Sequence, residues 1–286
     1  MMKVVVVGGT HGNELTGVQI LKYLENNSSL EKQFGLKIIP LLANPKALSL
    51  NRRFVDKDLN RSFLHCELNN KNDVSYEGLR AVELSLEIES IACDFLIDLH
   101  TTTSNMGKCI VMHKTDKLSL ACISHLKSIF PELKIIEASK VDDESPFLGK
   151  LSKSSLIIEV GPIPNGVLSA QTYIETKNIV LEIFTFLKKY SQNPTIINDY
   201  TLSFERYKIF EHTYFPQDEK GNLMGLVHPN FEGQDFVKIP KGQLLFWKFN
   251  GDVVCHDDEE FYPVFINEAA YFPDKIAFMK CRRIKE

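Results

Sequence analysis

Apolar residues return along the first two thirds of the chain in two alternating periods. Residues 3–7, a lysine and four valines, form one short run that ends at Gly8-Gly9, and residues 36–42 form another that stops at Asn44-Pro45. β-Branched runs of this length, bounded by turn residues, predict buried strands. Between them Leu15, Val18, Leu21 and Leu24, with Ile20 beside them, give a helix one apolar stripe. Strand, helix, strand is the signature of a βαβ unit. The alternation continues with a helix over 76–91, strands over 94–99 and 109–112, a helix over 118–130, strands around Ile135 and over 156–160, and a helix over 170–190. This order predicts the α/β class, a mixed sheet flanked by helices. After Asn193-Pro194 the texture changes to short aromatic and β-branched runs punctuated by Gly221, Gly225, Gly233, Gly242 and Gly251. The expected division is a first domain over 1–195 and a smaller β-rich C-terminal domain over 196–286.

Composition narrows the function classes. With 286 residues, 44% apolar and 24% charged, the chain reads as an ordinary globular protein. No apolar run approaches the ~20 residues of a membrane-spanning helix. The net charge is −4 and no long basic run occurs, so nucleic acid and membrane surfaces are not expected partners. The six cysteines, at 66, 93, 109, 122, 255 and 281, contain no Cys-x-x-Cys pair, which predicts thiols in a reducing compartment. No secretory pattern opens the chain, and a cytoplasmic location is the expectation.

Candidate chemistry begins where the first strand ends, in Gly8-Gly9-Thr10-His11-Gly12-Asn13-Glu14. A degenerate dinucleotide loop is one reading, but the glycine order is not G-x-G-x-x-G and the second strand ends without a ribose-binding acid. Metal is the other. His11 and Glu14 lie i, i+3 at a helix opening, so their side chains can converge beyond the strand. Two histidines and a glutamate make a catalytic zinc set that leaves a position for water. His100, at the end of the strand carrying Asp98, offers the second imidazole. Taken singly, a histidine at a strand end is ordinarily a polar loop residue. Glu159 sits inside the apolar run Leu156-Ile157-Ile158-Glu159-Val160, where a lone carboxylate needs an ion-pair partner or a catalytic task such as proton transfer. The loop over 51–61 carries Arg52, Arg53 and Arg61, of which Arg53 and Arg61 suit carboxylate or oxyanion binding, while Arg52 and Lys57 read as solvated charges.

Taken together, these segments resemble the aspartoacylase family. The motifs are His11-Gly12-Asn13-Glu14, Asp58-Leu59-Asn60-Arg61, Asp98-Leu99-His100, Ile158-Glu159-Val160-Gly161-Pro162 and Tyr262-Pro263-Val264-Phe265-Ile266-Asn267-Glu268-Ala269-Ala270-Tyr271, in the family's order. The resemblance implies a zinc carboxypeptidase-like catalytic domain, a β-rich C-terminal domain at the active-site entrance, and hydrolysis of the amide of N-acyl amino acids. It implies one zinc ion on His11, Glu14 and His100, with Glu159 as general base and acid and Arg53 stabilising the oxyanion. Asn60 and Arg61 would hold the substrate α-carboxylate, Tyr271 would reach the pocket mouth, and Asp58 and Asp98 would orient the ligands. The expected partner is a small N-acyl amino acid; the residues do not give the oligomeric state, and the resemblance admits a homodimer, since family relatives are often dimers.

One departure concerns specificity. Family sequences that cleave N-acetylaspartate carry a further arginine about ten residues before the strand of Glu159, near the substrate side-chain carboxylate. Here residues 140–155 contain no arginine, only Lys140, Lys150 and Lys153, and Gly149 stands at the counted position. Lysine lacks the bidentate fork. Thr101 also replaces the family's asparagine after the strand-end histidine. N-acetyl-L-aspartate is the main expectation, with Lys150 in the arginine's role. The alternatives are an aminoacylase or desuccinylase of different specificity, or a metal-free binding protein on the same scaffold.

Overall fold

The computed structural model describes residues 1–138 and 145–285. The first unit is β1 (Met2–Gly8), α1 (Leu15–Glu25), α2 (Ser29–Phe34), β2 (Leu36–Leu42) and α3 (Pro45–Ser49). It is followed by α4 (His65–Leu68), α5 (Tyr76–Ile91), β3 (Phe95–Thr101), β4 (Gly107–Met112), α6 (Lys117–Ile129), β5 (Lys134–Glu137), β6 (Ser155–Gly161) and α7 (Ala170–Gln192). The predicted strands and long helices are present. The helices that the apolar pattern does not show, α2, α3 and α4, have six, five and four residues, too short to display a stripe.

Val4, Val5, Val6 and Val7 are all fully buried because both faces of β1 are covered. Val4 and Val6 pack among Ile20, Leu21 and Leu24 of α1 and Ile183 and Phe184 of α7. Val5 and Val7 face Ala81, Leu84 and Ile88 of α5. Each buried valine contributes roughly 1.5–3 kcal/mol.

Among the described residues, nine strands form one sheet. The C-terminal part supplies β7 (Arg206–Tyr214), β8 (Gly225–Val227), β9 (Leu244–Lys248), β10 (Val253–Cys255), β11 (Tyr262–Val264) and β12 (Ile276–Ile284). The order of the large sheet is β11-β12-β7-β5-β4-β6-β3-β1-β2, while β10-β9-β8 makes a separate antiparallel sheet. β7 pairs in parallel with β5, so the sheet of the first domain continues into strands from beyond residue 195. Strand order reverses at β1, which lies between β2 and β3 and runs parallel to both. The crevice beyond the carboxyl ends of strands at such a reversal is where α/β sheets bind ligands. Among the described residues, no helix is long and apolar enough to cross a membrane.

Candidate metal centre and active site

The crevice at the ends of β1 and β3 collects His11, Glu14 and His100, all buried. Gly12 makes the turn between the first two ligands possible. Its backbone donates to the Arg53 carbonyl, and a Cβ there would fall 2.1 Å from the Ala47 carbonyl carbon. The Nδ1 atoms of His11 and His100 face each other at 3.2 Å. Glu14 approaches both, Oε1 lying 2.6 Å from His11 Nδ1 and Oε2 2.9 Å from His100 Nδ1. Imidazole nitrogens and carboxylate oxygens turned toward one shared point are the donor set of zinc, and the residues fit that ion.

The far side of each imidazole is held. His11 Nε2 lies 3.1 Å from Asp58 Oδ1, and His100 Nε2 lies 3.0 Å from Asp98 Oδ2. Asp98 is fixed in turn by the Thr10 hydroxyl at 2.8 Å. Carboxylates in this position set the ligand tautomer and strengthen the metal bond. Burial alone would push the Glu14 carboxyl up, but His11 and His100 hold it well below the usual range. Burial likewise opposes a charge on His100, and Asp98 and Glu14 outweigh it and raise the imidazole. Three carboxylates around two imidazoles favour a cation at the centre. Thr101 reaches Glu14 through its backbone N–H at 3.1 Å, so that bond does not depend on the side chain at 101.

Glu159 stands opposite His100 in the β3–β6 register and lines the cleft. Its Oε2 has no hydrogen-bond partner among the described residues. Burial pushes its carboxyl up to about 8, with Glu14 and Glu268 adding to the shift and His100 and Arg53 opposing it. Among the described residues, Glu159 makes no ion pair of the kind that would explain a carboxylate in this strand. Arg53 is gripped by Asp58 through Nε at 3.2 Å and Nη2 at 2.9 Å, and its Nη1 lies 3.4 Å from Glu14. Asn60 accepts from the Leu148 N–H at 3.0 Å, and Arg61 lies 5.1 Å from the centre of the Phe147 ring. Tyr271 closes the opposite side, its ring edge-on to Phe265. Arg53, Asn60, Arg61, Glu159 and Tyr271 thus share one cleft with His11, of about 180 Å³.

Lys150 is not among the residues lining that cleft. It lies on the turn Leu148–Leu151, with its N–H on the Phe147 carbonyl. Lys140 falls outside the described residues. Gly149 backs onto the buried ring of His113, where a Cβ would sit 2.4 Å from Nε2, so this position has no room for a side chain. Arg52 is exposed, as expected of a solvated charge. Lys57 departs from that reading, pairing with Glu67 at 2.7 Å and Asp73 at 2.5 Å.

Three contributors were not singled out by sequence reasoning. Glu77 is fully buried and accepts from the N–H groups of Val55, Asp56 and Lys57 and from the Asn44 amide, which fixes the arginine loop. Glu268 Oε2 accepts from the hydroxyls of Thr102, Thr103 and Ser104 and the N–H groups of Thr103 and Ser104, tying the segment of Tyr271 to the loop after His100. Neither carries a cue in the sequence, since Glu77 is flanked by the exposed Val74 and Leu79 and Glu268 by the exposed Asn267 and Ala269. The third, His212, lines the cleft from β7, and no motif marks it.

Comparison with known proteins agrees with this geometry. Residues 1–187 match the Succinylglutamate desuccinylase/Aspartoacylase catalytic domain, and residues 202–283 match the AstE/AspA barrel-sandwich hybrid domain. The chain is 34% identical over 283 residues to a probable aspartoacylase of Nostoc sp., covering 97% of this chain and 95% of that one. It is 34% identical over 293 residues to the human N-acyl-aromatic-L-amino acid amidohydrolase (carboxylate-forming), covering 99% and 91%. The crystal structure of murine aminoacylase 3 superposes with a TM-score of 0.90 at 32% identity, covering 100% of this chain and 96% of that one. The chain belongs to the succinylglutamate desuccinylase/aspartoacylase family, and its buried His11, Glu14 and His100 are the single zinc site of an amidohydrolase acting on N-acyl amino acids.

Proposed function

We propose that the chain hydrolyses N-acyl amino acids with apolar or aromatic side chains in preference to N-acetyl-L-aspartate. The observation that carries this reading is the wall of the cleft away from the metal ligands, built from Val111, Ala138, Ile157, Ile209, Phe265 and Met279. Among the described residues, the arginines in the cleft are Arg53 and Arg61. Arg53 is committed to Asp58 and Glu14, which leaves Arg61 to pair with one substrate carboxylate. A second carboxylate on the side chain would find no third arginine and no lysine among the described residues that line the cleft. The space at Gly149, where an arginine would otherwise be counted, is closed by His113. The human relative named for N-acyl-aromatic amino acids and the close superposition on aminoacylase 3 support the same reading.

Zinc on His11, Glu14 and His100 would supply Lewis-acid polarisation and a more acidic water. Glu159 takes the proton of the attacking water and delivers it to the amide nitrogen as the C–N bond breaks. A carboxyl poised near neutrality suits transfer in both directions. Arg53, held by Asp58, donates to the developing oxyanion. Asn60 and Arg61 bind the α-carboxylate, and Tyr271 narrows the mouth. Leaving a charged group unpaired costs about 1–3 kcal/mol or more, so aromatic substrates should lead by at least ~10-fold in kcat/KM. The test is deacylation of N-acetyl-L-tyrosine, N-acetyl-L-phenylalanine and N-acetyl-L-aspartate by the zinc-loaded protein. A lead for N-acetyl-L-aspartate would overturn the proposal.

A further inference from the structure

We infer that His212 is a specificity-determining residue, the polar contact that the apolar wall offers to the side chain of the substrate. The inference rests on the substrate reading above and deepens it.

Side chains along a strand alternate between its two faces, so residues three apart point to opposite sides. Ile209 and His212 of β7 are three apart, yet both line the cleft. The reason is a break in register. Cys281 pairs with Ile209, but Lys280 pairs with Glu211, which leaves Phe210 as one extra residue on β7. Such a bulge re-aims the side chains beyond it. His212 consequently stands opposite Met279, on the same face as Ile209 and Cys281. An unbroken register would put Glu211 opposite Met279 and bring an anion into the cleft. Glu211 instead pairs with Lys280 at 2.7 Å.

The other polar groups of the cleft lie elsewhere. His11, Arg53, Asn60 and Arg61 come from the loops beyond the strand ends, Glu159 from β6 and Tyr271 from the segment before β12. These groups occupy the scissile amide and the α-carboxylate, and the remaining direction runs along Val111, Ile209 and Met279. A side chain lying there meets the imidazole. The ring offers an aromatic face and edge to another ring, and its nitrogens offer a hydrogen bond to a phenol. His212 is exposed at the cleft mouth, so its replacement does not open a core.

The experiment compares zinc-loaded parent, His212→Ala and His212→Lys with N-acetyl-L-tyrosine, N-acetyl-L-aspartate and N-acetylglycine, whose lack of a side chain makes it the internal reference. His212→Ala should lower the kcat/KM ratio of the tyrosine substrate to N-acetylglycine by about tenfold, mainly through KM. His212→Lys should raise the ratio of the aspartate substrate to N-acetylglycine by about tenfold, because it adds a cation to the wall. Ratios within about twofold of the parent in both variants would overturn the inference, and so would a parallel fall for all three substrates, which marks a structural effect. A parent that favours N-acetyl-L-aspartate overturns the substrate reading alone, since the variant ratios still decide whether His212 touches the side chain.

Discussion

Glu77 offers a direct test of how the arginine loop is held. Its carboxylate, at the start of α5, accepts four hydrogen bonds and faces donors only. Oε1 takes the Val55 N–H at 2.6 Å and the Asn44 amide at 3.1 Å, and Oε2 takes the N–H groups of Asp56 at 2.9 Å and Lys57 at 3.2 Å. Glu77→Gln keeps the shape but turns one oxygen into a donor, which must then face two donors whichever way the amide is placed. Two charge-assisted bonds are lost, each contributing about 1.5–3 kcal/mol, so the expected destabilisation is about 3–6 kcal/mol. That is a large share of the 5–15 kcal/mol typical of folded domains, yet it leaves a folded population to study. The same loop carries Arg53 and Asp58, and Asp58 orients His11. Zinc affinity should therefore fall by about 10- to 100-fold as well. Urea unfolding of the zinc-loaded protein measures the first effect, and titration of the apoprotein with zinc against a competing chelator measures the second. A variant within about 1 kcal/mol of the parent, with unchanged zinc affinity, would refute the reasoning.

Other perturbations separate the roles within the site. Glu159→Gln should retain stoichiometric zinc by elemental analysis while turnover falls by about 10²–10⁴-fold, and near-normal turnover would exclude Glu159 as the proton carrier. Glu268→Ala removes the acceptor of the buried Thr102 and Ser104 hydroxyls and of the Thr103 N–H, and a loss of about 3–5 kcal/mol in urea unfolding is expected. An unchanged unfolding midpoint would show that other contacts hold that loop. His113 is fully buried, and burial, with Lys114 adding to it, pushes its imidazole from 6.5 down to about 4. The unfolded chain therefore binds a proton first as pH falls, so stability is full above pH 6.5 and about 3 kcal/mol is lost on the way to pH 4. His113→Asn should remove that component from the difference between unfolding free energies at pH 7 and pH 4, and an identical pH slope in variant and parent would exclude His113 as its source.

The parts of the fold that announced themselves in the sequence are those whose physics is local. β1 is visible because a strand buried on both faces reads as a continuous apolar run, β2 because a short apolar run ends at turn residues, and α1 because one face alternates with solvent. The metal ligands were legible because their spacing places them at strand ends. What stayed hidden depends on pairing at a distance. Nothing in residues 206–214 shows that β7 will join β5 of the first domain, nor that one extra residue against β12 will turn His212 into the cleft. Glu77 and Glu268 look like surface acids because most of their partners are backbone N–H and hydroxyl groups distant in the chain, which a sequence does not display as partners. The closure behind Gly149 was invisible for a related reason, since His113 lies 36 residues away along the chain.

The cleft is assembled from both parts of this chain, and the sheet joins them. The zinc ligands, Glu159, Arg53 and Arg61 lie before residue 195 with Val111, Ala138 and Ile157 of the cleft wall, whereas Ile209, His212, Phe265 and Met279 of that wall lie after it. A shared continuous sheet holds the two sets in fixed relation, as a flexible linker between separate domains would not. The cost appears in the backbone of the joining segment. Phe265 and Asn267 adopt left-handed conformations, with φ of 55° and 54°, at a cost on the order of 1 kcal/mol or more each. Between and beside them, Asp235 accepts the Ile266 N–H at 3.0 Å and Glu268 anchors the next turn to residues 102–104. These contacts tie the segment that carries Phe265 and Tyr271 to its neighbours beside the cleft. On the substrate reading proposed above, substitutions in the wall should alter which side chain is accepted while the distances among His11, Glu14 and His100 stay as they are.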